Sequence, residues 1–266
     1  MLTAVVVKTT QTMSWNPGTY NKFKSERFAP FDDLLALLDK RPGLEVIDLG
    51  CGTGELTKKL ADYLPGSKVL GIDNSREMLN DSVSFQAPRL SFECRSIEQQ
   101  VELDQQWDLV FSNAAVQWVD NHGVLIPKLI SGLKPGGQLL IQIPAQHHNI
   151  TNRILDELAR QEPFKKTLDS WMRVSPVLDI EIYARIFFES GAKKMAVYEK
   201  VYPLVLENSG ALFNWVSGTA LLPYVEKLTS KLHDEFIRQY KLRLGEAFDN
   251  SPVFYPFKRI IMSASF

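Results

Sequence analysis

Between Leu44 and Ile143 the chain alternates short, nearly continuous apolar runs with stretches whose apolar residues recur at helical spacing. Leu44–Leu49 reads as a buried strand, and Glu55–Tyr63 as an amphipathic helix stopped by Pro65 and Gly66. Lys68–Ile72, Leu90–Cys94, Trp107–Ser112 and Gln138–Ile143 supply four more candidate strands. A helix capped by Ser75 is predicted to run to about Ser84, and another to span Val124–Leu133 before the Lys134-Pro135-Gly136-Gly137 break. Strands alternating with helices in this way predict an α/β fold with a parallel sheet and crossover helices.

Beyond Pro144 the alternation gives way to helical patterns, at about Thr151–Gln161, at Ile180–Ser190 closed by Gly191, and at Leu228–Phe248. In the last of these, Leu228, Leu232, Phe236, Tyr240 and Leu244 recur every four residues and define one apolar face. Two further strands, Met195–Tyr202 and Phe257–Ala264, belong at the far edge of the same sheet. The expected organisation is a core of residues 13–144 with 179–203 and 253–266. Residues 145–178 and 204–252 form helical insertions capping the carboxyl ends of the strands, and residues 1–12 are an N-terminal extension without an assigned role.

Composition narrows the function classes. In 266 residues, 30 basic and 31 acidic side chains nearly cancel and are interspersed, so the chain has no electrostatic footprint for nucleic acid or an anionic membrane. No run approaches the roughly 20 apolar residues of a membrane span. Two cysteines, Cys51 and Cys94, fit a reducing, cytoplasmic setting better than a disulfide-stapled secreted domain. His147 and His148 adjoin, but neighbours on an extended segment point opposite ways and no third ligand is suitably spaced, so no metal is expected.

The turn Asp48-Leu49-Gly50-Cys51-Gly52-Thr53-Gly54 joins the first strand to a helix. Glycines at 50, 52 and 54 permit close approach of a ligand to the backbone at a helix N-terminus. Asp73, at the end of the second strand, stands where a carboxylate accepts from ribose hydroxyls. A dinucleotide would need Gly-x-Gly-x-x-Gly to seat its pyrophosphate, whereas here the third glycine comes one residue early and Glu55 adds repulsion. The local residues favour S-adenosylmethionine, whose sulfonium tolerates acidic surroundings. Cys51, near a helix N-terminus but with no histidine beside it in sequence, reads as a small turn residue.

Val46 to Gly54 resembles the first motif of the class I methyltransferases, Gly71-Ile72-Asp73-Asn74-Ser75 the second, and Phe111-Ser112-Asn113-Ala114 the segment after the fourth strand. Within that class the chain is most similar to the trans-aconitate 2-methyltransferase family. The likeness runs from residue 14 to 266 and takes in Ser14-Trp15-Asn16-Pro17, Asn113 to Trp118, Gln142-Ile143-Pro144, Trp215-Val216 and Phe257-Lys258-Arg259. It implies a Rossmann-like sheet of seven strands with the last antiparallel. It also implies that Asp48 and the backbone of Gly50, Cys51, Gly52 and Gly54 hold the methionyl part of the cofactor, and Asp73 the ribose. Asn74 and Met78 would surround the adenine, Asn113 with Ala114 would meet the methionyl amine, and Tyr20 and Arg27 would close over the cofactor. The chain departs from the pattern after the third strand, where Arg95-Ser96-Ile97 replaces the usual acidic residue, leaving Ser96 or the backbone at Ile97 to meet the adenine amino group. Trp118 either lines the site or packs in the core.

Methyl transfer from a sulfonium is an in-line displacement that asks the protein for positioning and exclusion of water. A carboxylate acceptor is already ionised at neutral pH, so no catalytic base or nucleophile is expected. Cationic side chains must instead hold the acceptor. The candidates are Arg259, which matches an arginine of the family, with Arg153, Arg173 and Lys258, and Trp215, Tyr240 and His147 as walls or donors. The expected activity is methyl ester formation on a small polycarboxylate such as trans-aconitate, by a monomer acting on a free small molecule. The alternatives are a carboxyl methyltransferase of the malonyl–acyl-carrier-protein type and a non-catalytic protein that binds S-adenosylmethionine.

Overall fold

A computed structural model describes residues 24–145, 149–169, 171 and 175–266. The described helices are α1 (Lys24–Ala36), α2 (Glu55–Tyr63), α3 (Arg76–Ser82), α4 (Ile97–Gln100), α5 (His122–Ser131), α6 (Ile150–Ala159), α7 (Phe164–Thr167), α8 (Ile180–Glu189), α9 (Ser209–Val216), α10 (Leu222–Val225) and α11 (Ser230–Ala247). The strands are β1 (Glu45–Leu49), β2 (Lys68–Asp73), β3 (Leu90–Cys94), β4 (Trp107–Asn113), β5 (Leu133–Pro144), β6 (Lys194–Leu206) and β7 (Val253–Ser265), in a single sheet of order β3-β2-β1-β4-β5-β7-β6. The neighbours from β3 to β5 are parallel, and β7 runs antiparallel to β5, as the family resemblance implies. Strand order reverses direction between β1 and β4, which opens a crevice at the carboxyl edge, the usual place for a ligand in such sheets.

Strand residues alternate between two apolar layers. Ile47, Leu49, Val110, Leu139, Ile141, Ile260 and Met262 pack with Leu125, Ile126 and Leu129 of α5 and with Tyr183 and Phe187 of α8. Val46, Leu109, Phe111, Leu140 and Ile261 point the other way, against Phe31, Leu34 and Leu35 of α1 and Leu60 of α2. With both faces covered, the strands read as solid apolar runs, which is what makes them visible in the sequence.

The chain divides into two compact units. Of the described residues, the larger takes 25–145, 149–153, 175–204 and 254–266 and carries most of the sheet; the smaller takes 24, 154–169, 171 and 205–253. Within the smaller unit Phe164 meets Phe236 edge-on at 4.9 Å, Tyr224 stacks on Phe236 at 5.8 Å, and Phe213 lies 6.1 Å from Tyr240. Phe236, Tyr240 and Leu244, three of the five residues of the predicted apolar stripe, lie on α11 and are fully buried.

Several boundaries differ from expectation, three of them as follows. α5 occupies 122–131 rather than 124–133, because Asn121 in the left-handed region starts it and Gly132 ends it. Lys134 to Gly137 is not a break between elements but part of β5, accommodated by a register shift opposite Trp107 and Leu109. β6 extends to Leu206 and so takes up residues 204–206, which the pattern assigns to an insertion.

Candidate functional site

The turn after β1 is held by backbone bonds from Gly50 N and Cys51 N to Ile72 O at 2.8 and 2.9 Å. A methyl placed on Gly50 (φ +75°) would lie 2.1 Å from the Cβ of Ala115, so this glycine is required by packing against the segment after β4. Gly54 is similarly hemmed in, by Phe92 and Ser82. Gly52 meets only the tip of Met78, at 3.2 Å, and is the open position of the three. The glycine pattern therefore combines two packing requirements with one place for close backbone approach.

Asp73 uses both carboxylate oxygens to organise this region, accepting from Gly52 N at 2.9 Å and from Ser75 N at 2.8 Å. Further lone pairs on each oxygen stay available to a hydroxyl donor. Asp48 is 3% exposed and accepts from Thr57 Oγ1 at 2.6 Å. Burial, opposed by that hydrogen bond and reinforced by the charge of Asp73, pushes the Asp48 carboxyl up to about 7. Two carboxylates thus meet at one end of the turn, a setting that favours a cation. Cys51 is also buried; burial and then the charges of Asp48 and Asp73 push its thiol well above its ordinary range, so it is an inert turn residue.

Ser75 caps α3 by accepting from Met78 N at 3.2 Å, which places Asn74 and Met78 beside the turn. Ser96 has a duty that the family resemblance does not indicate: its Oγ accepts from Gln99 N at 3.2 Å while Gln99 Oε1 accepts from Ser96 N at 3.0 Å. Ser-x-x-Gln is a capping-box signature, and it starts the short helix α4 with Ile97, 7% exposed, at its first position.

After β4, Ala114 takes a left-handed conformation (φ 59°) and donates its N–H to Gln142 O at 2.8 Å. A single 3-10 turn, Val116–Trp118, follows. Trp118 is 52% exposed, which removes the alternative that it packs in the core. Beneath this turn lies a buried relay that the sequence does not reveal. Leu178 N donates to Tyr183 Oη at 3.0 Å, Tyr183 Oη bonds His122 Nδ1, and His122 Nε2 bonds Val116 O at 3.0 Å. A carbonyl only accepts, so Nε2 carries the proton and Nδ1 accepts from the tyrosine. Burial pushes His122 down from its ordinary pKa and Tyr183 up, keeping both neutral.

The strand register aligns a row of polar side chains on the α1 face of the sheet. Asp48 is opposite Gly71 on β2 and Phe111 on β4, so Asp73 and Asn113, each two residues further on, share that face. Asn113 is opposite Gln142, and Gln142 is opposite Ile261 on β7, two residues from Arg259. Gln142 is fully buried and Arg259 is 7% exposed; Arg259 donates from one terminal nitrogen to Gln142 Oε1 at 3.0 Å. Its guanidinium also lies over the Phe257 ring at 4.7 Å, and Phe257 stacks on Tyr255, whose hydroxyl bonds Thr151 Oγ1 at 2.9 Å. Lys258 faces away to Glu199 at 3.0 Å. The row passes from carboxylates at β1 and β2, through two amides, to a buried cation at β7.

Other candidates are dispersed. Tyr20, His147 and Arg173 lie outside the described residues, and Arg27 falls on α1 without a described side chain. Arg153 is exposed on α6. Trp215 on α9 and Tyr240 on α11 belong to the smaller unit, with Tyr240 fully buried among its aromatics. Among the described residues no group of three His, Cys, Asp or Glu side chains is placed to hold a metal, and no helix is long and apolar enough to cross a membrane.

Residues 40–198 match a family model described as a methyltransferase domain. In fold the chain is similar to the YcgJ protein of Bacillus subtilis (TM-score 0.57, 14% identity, 89% of this chain and 97% of that one). It is also similar to phosphoethanolamine N-methyltransferase 2 of Haemonchus contortus in complex with S-adenosylhomocysteine (TM-score 0.52, 18% identity, 88% of this chain and 52% of that one). Sheet order, turn and family match together define an S-adenosylmethionine-dependent methyltransferase of the class I fold. A trans-aconitate 2-methyltransferase of Deinococcus radiodurans is 39% identical over 259 residues, 95% of this chain and 98% of the relative. Another from Variovorax paradoxus is 34% identical over 237 residues, 89% and 91% of the two chains. At this level of identity the chain belongs to the trans-aconitate 2-methyltransferase family.

Proposed function

We propose that this enzyme transfers a methyl group from S-adenosylmethionine to one carboxylate of trans-aconitate, releasing a methyl ester and S-adenosylhomocysteine. The observation that carries the reading is the charge-sorted row at the carboxyl edge of the sheet, acidic at Asp48 and Asp73 and cationic at Arg259. Names of relatives 30–39% identical to the chain support the choice of acid.

When bound, S-adenosylmethionine supplies the methyl group on a sulfonium, a good leaving group. Asp48, with the backbone at Gly50 to Gly54, faces the methionyl part; Asp73 accepts from the ribose; Asn74, Met78, Ser96 and Ile97 surround the adenine; and Asn113, Ala114 and Trp118 adjoin the methionyl amine. By the family resemblance alone, Tyr20 and Arg27 would close over the cofactor. Arg259 holds a carboxylate of the acceptor and turns another toward the methyl, a task of orientation rather than proton transfer. His147 and Arg153 remain candidate acceptor contacts. The acceptor is a free small molecule, neither nucleic acid nor membrane takes part, and the enzyme works as a cytoplasmic monomer.

Incubation with methyl-labelled S-adenosylmethionine and trans-aconitate, citrate, succinate or a malonyl–acyl-carrier protein tests the assignment. Label is expected in an alkali-labile ester of trans-aconitate. Label only in the malonyl carrier, or cofactor binding with no ester from any acid, overturns it.

A further inference from the structure

We propose that Gln142 is the second anchor for the acceptor, its side-chain amide donating to a carboxylate oxygen beside the Arg259 guanidinium, and that it is thereby a specificity-determining residue. The inference rests on the reading of Arg259 as the acceptor clamp.

The orientation of this amide follows from chemistry. A guanidinium has donors and no acceptor, so the Gln142 atom bonded to Arg259 at 3.0 Å must be Oε1, and the other atom must be the donor Nε2. Gln142 is 0% exposed, and Nε2 has no hydrogen-bond partner among the described residues. A buried donor with no partner carries a desolvation penalty that a folded protein normally avoids. Here the strand cannot relieve it by turning the amide over, because that would set an NH2 against the guanidinium.

The neighbouring strand repeats the pattern with opposite polarity. Asn113, the register partner of Gln142, has its Oδ1 buried and without a partner among the described residues. The two orphans are distinct in kind: Nε2 requires an acceptor, and Oδ1 requires a donor. An anion is drawn to the Gln142 and Arg259 side and repelled from the Asn113 oxygen, which suits the ammonium of a methionyl group. Side by side on β4 and β5, they mark the line between a cationic cofactor end and an anionic acceptor. An acid with a carboxylate at this line receives two donors, one charged and one neutral.

The test uses the full chain with S-adenosylhomocysteine present and trans-aconitate as titrant, followed by calorimetry and by initial rates. Gln142→Met keeps length and volume without a donor, and Gln142→Glu keeps shape but replaces the donor with a charge. Both are expected to bind S-adenosylhomocysteine as the wild type does. The acceptor Kd is expected to rise on the order of 10–100-fold in the methionine variant and further in the glutamate variant. A Kd and KM for trans-aconitate within threefold of wild type in either variant overturns the role of Gln142. If Gln142→Met fails to fold, as judged by its thermal melt, Gln142→Glu decides the point by the same threefold criterion. If the wild type itself neither binds nor methylates trans-aconitate, the assigned acceptor fails and this inference with it, an outcome distinct from a competent wild type with unaffected variants.

Discussion

Gly52 and Asp73 are 21 residues apart in sequence, and the backbone N–H of the first donates to the carboxylate of the second at 2.9 Å. The bond joins the open glycine of the β1 turn to the end of β2. The residue proposed to hold the ribose thus also sets the shape of the surface beneath the methionyl group. Replacing Asp73 with asparagine keeps one acceptor oxygen for two backbone donors. The expected loss is about 1–2 kcal/mol of stability and on the order of a 10–100-fold rise in the Kd for S-adenosylmethionine, read by urea denaturation and calorimetry. Unchanged cofactor affinity would remove Asp73 from the ribose site.

Asp48 imposes a pH dependence whose sign follows from its burial. Its carboxyl is raised from 3.8 in the reference state to about 7 in the fold, so the folded state binds the proton more tightly than the unfolded state does. The associated stability is fully present below about pH 4 and is lost as pH rises to and through about 7. Cofactor-free protein is therefore expected to melt at a lower temperature at pH 8 than its other groups alone would give. Asp48→Asn, which mimics the protonated form, should narrow the gap between melts at pH 5 and pH 8. If the gap is the same in both proteins, Asp48 is ionised throughout.

A cationic cofactor reverses this preference by favouring the carboxylate. Affinity for S-adenosylmethionine is expected to increase as pH rises through about 7 and to flatten in Asp48→Asn. Calorimetric titrations at pH 6 and 8 check this, and a parallel rise in the variant would assign the dependence to another group.

The glycines of the turn separate by experiment. Gly50→Ala forces a methyl to 2.1 Å from Ala115 in a left-handed conformation, and about 3 kcal/mol or more of destabilisation is expected. Gly52→Ala meets only the movable end of Met78 and should cost about 1 kcal/mol, yet weaken cofactor binding because the methyl occupies the approach to the backbone. Thermal melts with and without S-adenosylhomocysteine distinguish the two. Equal melting losses in both variants would contradict the division.

Tyr183→Phe deletes the link between Leu178 N and His122 Nδ1 and leaves both without a partner from that side chain. A loss of about 1–3 kcal/mol is expected in urea denaturation. A loss below about 0.5 kcal/mol would mean that the relay does not brace the turn at Val116–Trp118.

The sequence reveals the parallel core because buried strands are uniformly apolar and the turns between them carry glycine or proline. It reveals Asp48, Asp73 and the glycines because their chemistry depends on local spacing. It hides what depends on register: nothing about Gln142 as one glutamine among many indicates that it shares a face with Asn113 and meets Arg259, 117 residues away. His122 and Tyr183 are hidden for the same reason. The capping role of Ser96 is legible in principle, since Gln99 three residues later announces a helix start, but the family resemblance points to adenine instead. The apolar stripe of α11 marks its buried face, while Trp118 shows the limit of such reasoning, because hydrophobicity alone does not decide that it is exposed.

The position of β7 between β5 and β6 bears on how the molecule is made. β6 emerges from the ribosome well before the strand that joins it to the sheet, and until residues 253–265 follow, both β6 and the outer edge of β5 lack their partner. Nascent chains are therefore exposed to mispairing along two edges at once during that interval. The strand that closes the gap also delivers Arg259, so the cation proposed to hold the acceptor arrives in the same event that completes the sheet.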